Sequence, residues 1–78
     1  MNEGEEIRLK SLAILLREDL TNVSRMLNTL IEIIRPIRDR NRVGTYERAN
    51  LEAQEIIFEN LLGEVELFID ATSHLEGS

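Results

Sequence analysis

The sequence predicts an all-α protein, a two-helix antiparallel hairpin that dimerises into a four-helix bundle. Three observations predict it. Apolar residues recur at helical spacing through both halves of the chain, and strict alternation never appears. Turn-forming residues cluster once, between Pro36 and Thr45. Each apolar stripe is wider than one neighbouring helix can cover, in a chain of only 78 residues with no cysteine to staple it. The expected layout is one domain over residues 1–78, with a first helix over about 5–35, a turn over about 36–44 and a second helix over about 45–74.

The first helix is organised around Val23. At 100° per residue, Leu9, Leu12, Leu16, Leu27, Leu30, Ile34 and Ile37 fall near Val23, while Lys10, Arg17, Glu18, Arg25 and Glu32 fall opposite. In heptads, Leu9, Leu16, Val23, Leu30 and Ile37 take one seam position and Leu12, Asp19, Met26 and Ile33 the other. A further apolar column, Leu20, Leu27 and Ile34, widens the seam. Asp19 interrupts the stripe, as a bundle-edge group reaching water or as a polar residue fixing register. Residues 1–4 are expected to be loose, with Glu5 and Glu6 in the first helical turn favouring its dipole.

Pro36 has no N–H and disfavours helical geometry at Arg35, so the first helix should end or kink there. Asn41 and Gly44 both tolerate positive φ and place the reversal. A reversal near residue 41 would set residue i against about 82 − i, which puts Asp19 across from Gly63. Thr45 is the expected N-cap of the second helix.

In the second helix, Ile57, Leu61, Val65 and Phe68 cluster, with Leu51, Phe58, Leu62 and Ile69 on one shoulder. Glu52, Glu55, Glu59, Glu66 and Asp70 line its far face. Gly63 costs about 1 kcal/mol against alanine inside a helix, so a close approach or a bend is expected there.

Charge is segregated along the chain. The net charge is −6, yet residues 35–48 hold five arginines against Asp39 and Glu47, and beyond Arg48 there are seven acids with no Lys or Arg. No apolar run approaches the ~18 residues of a membrane span, and the acidic start is unlike a secretion signal. A cytoplasmic protein without membrane association is expected.

The residues offer little chemistry. The single histidine, His74, has Ala71 where a Glu-x-x-His metal motif would have its acid, and no glycine-rich phosphate loop is present. With no cysteine, nucleophilic catalysis lacks its parts. The expectation is therefore a non-enzymatic protein with no cofactor and no metal.

A self-associating interaction module or small adaptor is the leading expectation. It forms a homodimer through Leu12, Leu16, Leu20, Val23, Leu27, Leu30, Ile56, Phe58, Leu62, Val65 and Ile69, and engages a larger protein partner as a second role. Arg35, Arg38, Arg40, Arg42 and Arg48 are the candidate site for that partner or for phosphate. The runner-up is a small dimeric nucleic-acid-binding regulator using this arginine turn, against which the net charge weighs. A third reading makes the acidic face of the second helix a nucleic-acid mimic. Between the two ways of docking hairpins, antiparallel docking brings one arginine turn near the other chain's acidic end.

Overall fold

A computed structural model describes residues 1–77; Ser78 lies outside the described residues. Two helices account for nearly all of it, α1 over Glu3–Arg40 and α2 over Tyr46–Gly77. They pack antiparallel into a rod of 60 × 15 × 14 Å.

Helix α1 begins earlier than expected because Asn2 caps it. The Asn2 side-chain oxygen accepts from the Glu5 N–H at 2.8 Å, and its amide donates to the Glu5 carboxylate at 3.2 Å. This satisfies one of the N–H groups that a helix start leaves unpaired. Helix α1 also passes through Pro36 and continues to Arg40. The lost hydrogen bond of one proline is local, and residues beyond it still pack on α2. Asn41 is not the positive-φ residue: its φ is −87°, and its side-chain amide donates to the Ile37 carbonyl at 2.7 Å. The reversal is carried by Gly44 alone, at φ +88°. Thr45 caps α2, its hydroxyl oxygen accepting from the Arg48 N–H at 3.3 Å.

The seam between the helices follows a 3,4 repeat on each. On α1 it runs Ala13, Arg17, Leu20, Ser24, Leu27, Ile31, Ile34 and Arg38, and on α2 Leu51, Glu55, Phe58, Leu62, Val65, Ile69, Thr72 and Glu76, every one buried or half-buried. A sustained repeat averaging 3.5 residues is the pattern of a coiled-coil contact. The seam is apolar in the middle and polar at both ends. Thr72 is buried with its hydroxyl donating to the Ile69 carbonyl at 2.8 Å.

Arg17 meets Glu76 at 2.6 Å, and Arg38 meets Glu55, so long side chains join across the hairpin where the two numbers total 93. This corrects the expected 82: α1 runs five residues further than its proline suggested, and the climb of residues 41–45 shifts α2 along it. Asp19 therefore does not face Gly63, and it is exposed. Gly63 makes no close approach either, since an added Cβ would meet nothing within 4 Å. The start of α1, up to about Leu12, extends past the end of α2, Ala13 being the first buried residue of α1.

Candidate functional site

The hairpin uses the narrower of α1's apolar columns. Leu20, Leu27 and Ile34 turn inward, while the seam expected from hydropathy stays outside. Leu12, Leu16, Met26, Leu30 and Ile33 are exposed, Leu12 at 56%. The same holds on α2, where Ile57, Leu61, Phe68 and Leu75 are exposed, Phe68 at 57%.

These exposed columns lie on one side of the rod. On each helix they sit roughly 100° round from the seam, in the same rotational sense viewed from the N-terminus. In an antiparallel pair, equal rotation carries both to one broad side. The opposite flank confirms the geometry, because Arg35 on α1 donates to Glu59 on α2 at 3.0 Å there. One side of the rod is therefore largely apolar from Leu9 to Ile37, broken by Asp19 on α1 and Glu64 on α2, and the other carries Arg35, Glu52, Glu59 and Glu66.

Several residues expected at an intermolecular interface are spent within the chain. Leu20, Leu27, Phe58, Leu62, Val65 and Ile69 belong to the intramolecular seam, because a 3,4 repeat including polar ends satisfies Arg17, Arg38, Glu55 and Glu76 as ion pairs. Ile56 is exposed but projects to the polar side. Leu12, Leu16 and Leu30 remain exposed on the open face with Val23 half-buried among them, and Met26, Ile33, Ile57, Leu61 and Phe68 join them. The hydropathy pattern contained these residues but did not say which stripe faced inward.

The arginine turn and the acidic face neutralise each other. Glu55, only 6% exposed, accepts from Arg35 Nε at 3.1 Å and from Arg38. The Arg35 hydrogen bond holds the Glu55 carboxyl below its ordinary range, against the opposing effect of burial, and the Arg38 charge adds to it. Both guanidinium groups are pushed up in return, Arg35 chiefly by its bond to Glu55 and Arg38 chiefly by its bond to Asp39. Arg48 donates to Glu52 at 2.9 Å and to the Asn41 carbonyl at 3.1 Å. So Arg35, Arg38 and Arg48 do not form a clamp with Arg40 and Arg42; these last two are exposed and, among the described residues, meet no carboxylate. Glu52, Glu55 and Glu59 are each engaged by an arginine, so the acidic stripe of the mimic reading is largely consumed.

Two shallow concave features lie on α1. One is lined by Arg17, Glu18, Thr21, Asn22 and Arg25. The other, more apolar, is lined by Arg25, Met26, Thr29, Leu30 and Ile33 on the open side. His74 lies 3.5 Å from Asp70 on the surface, and among the described residues no group of three His, Cys, Asp or Glu side chains is placed to hold a metal. Among the same residues no helix is long and apolar enough to cross a membrane. No protein-family model, curated protein or solved structure matches this chain.

Proposed function

We propose that this chain is a non-enzymatic, self-associating interaction module, in which the open apolar face of one hairpin covers that of a second copy to give a four-helix bundle. The observation that carries the reading is the one-sidedness of the exposed apolar surface. The chain exposes 5846 Å². A compact monomer of 9.0 kDa exposes about 4,850 Å². The excess of roughly 1,000 Å² resembles the ~800 Å² per partner that a standard stable interface buries. Large apolar side chains gathered on one side, Leu12, Leu16, Met26, Leu30 and Ile33 with Ile57, Leu61 and Phe68, are uncommon on a protein that works alone.

Light scattering coupled to size exclusion tests the proposal. The expected mass is twice that of the chain at micromolar concentration, falling to one chain in a Leu16→Asp, Phe68→Asp variant that remains helical by circular dichroism. A helical single chain at millimolar concentration would overturn it.

A further inference from the structure

We infer that the two copies dock antiparallel, about an axis passing close to Val23 and Phe68, so that each turn meets the acidic start of the other chain. This rests on the self-association proposed above and adds its orientation, register and charge contacts.

The apolar face has a centre. On α1 the open stripe runs from Leu9 to Ile37, with Val23 midway. On α2 it runs from Ile57 to Leu75, and the observed register sets Phe68 at about the height of Val23. The midpoint of the α2 stripe, Glu66, falls within about one helical turn of the height of Val23, so the two stripes are balanced about one level to that tolerance. A half-turn about an axis at that level lays each helix on its own copy, so that residue i of α1 faces about 46 − i of the partner. That overlap is complete on α1.

The alternative, with both turns at one end, lays each α1 on the partner's α2. Near the turn the open columns of α2 hold Asn50 and Gln54. Parallel docking would press Gln54 toward Ile37, leaving an amide against hydrocarbon at a cost in unmet hydrogen bonds. In the antiparallel arrangement Asn50 and Gln54 fall beyond the end of the partner's shorter α2 and stay wet.

The surface has a socket of the right kind in the right place. Met26, Thr29, Leu30 and Ile33 are spaced i, i+3, i+4 and i+7, the four-residue diamond that receives one knob in helix packing, and they line an apolar depression. The antiparallel register presents Leu16 of the second copy to it.

Charge fixes the same direction. Arg40 and Arg42 are exposed at the turn without a carboxylate among the described residues of their own chain. The register sets Arg40 near Glu5 of the other copy, whereas Glu6 is paired with Lys10 of its own chain at 3.3 Å. Parallel docking would instead gather four such arginines at one end, where like charges repel.

The chain has no cysteine, so a single spin label at Val43→Cys, an exposed turn position, reports the orientation cleanly. Pulsed dipolar spectroscopy should give an intermolecular distance of about 60 Å, twice the rise of some 20 helical residues. A distance near 20 Å with a two-chain mass overturns the orientation and leaves self-association standing. A one-chain mass with no intermolecular coupling removes both. As a second measurement, Arg40→Glu should weaken dimerisation about twofold to fivefold, and adding Glu5→Arg should restore it. Additive weakening in the double variant would overturn the proposed contact.

Discussion

Arg38 and Glu55 meet across the two helices, and Arg35 donates to the second oxygen of the same carboxylate from Nε at 3.1 Å. Two cations thus converge on the one buried acid of the hairpin. Removing one partner of such a cluster leaves the others desolvated and unpaired.

The pH dependence follows from this cluster. The folded state holds the Glu55 carboxyl below its ordinary value, so folding releases a proton that the unfolded chain binds. Its stabilisation is full above the unfolded value of about 4.3 and is lost as pH falls through the lower folded value. Melting temperatures followed from pH 7 to 3 should fall at the acid end. Glu55→Gln should melt lower at pH 7 and show a shallower acid decline. A parallel decline in both proteins would show that the arginine cluster is not its source.

Leu27→Ala should cost about 2–5 kcal/mol, because Leu27 is buried at the middle of the seam. Urea unfolding at several protein concentrations separates this from the open face. The loss should appear at every concentration, whereas Leu12→Ala should act mainly through the concentration dependence. Equal behaviour of the two variants would mean that the inner seam is misassigned.

Pro36→Ala should stabilise the protein by about 1–3 kcal/mol. Pro36 sits inside α1 and is exposed, so the substitution restores an N–H to the helix without disturbing the core. A lower urea midpoint for the variant would show instead that the proline at this position is needed to seat Ile37 and Arg38.

The two glycines should respond oppositely to alanine. Neither would crowd a neighbour, since an added Cβ meets nothing within 4 Å at Gly44 or Gly63. At Gly44 the φ of +88° penalises a side chain, and Gly44→Ala should destabilise by about 1 kcal/mol. At Gly63 the backbone is helical, and Gly63→Ala should stabilise by a similar amount. Thermal melts of the pair check both signs in one experiment.

Both helices, the reversal at Gly44 and the Thr45 cap were legible in the sequence, because periodicity and capping chemistry are local, while the end of the first helix was placed five residues early. What was not legible is which stripe faces inward. Hydropathy ranks the column of Leu16, Val23 and Leu30 above one broken by Arg17, Ser24 and Arg38. Yet the broken column wins inside one chain, because Glu55 and Glu76 supply partners for its arginines. Those partners lie 17 and 59 residues away along the chain, beyond any local pattern. The same folding-back explains the arginine turn. Charges far apart in sequence order, Arg35 with Glu59 and Arg38 with Glu55, neutralise each other only once the register is known. Asn2 was underrated because a cap at the extreme start has no apolar run before it to announce it.

The charged flank bearing Glu52, Glu59 and Glu66 bears on how far association can proceed. A rod with oil on both sides would stack without end into ribbons or filaments. Here the reverse side offers a second arrival only carboxylates and arginines already engaged, with single apolar residues such as Ile14 and Ile56 scattered between them. At −6 per chain, a closed pair would also repel its neighbours. If the open faces pair as proposed, growth would halt after one docking event, and the particle would stay finite without any dedicated stop signal.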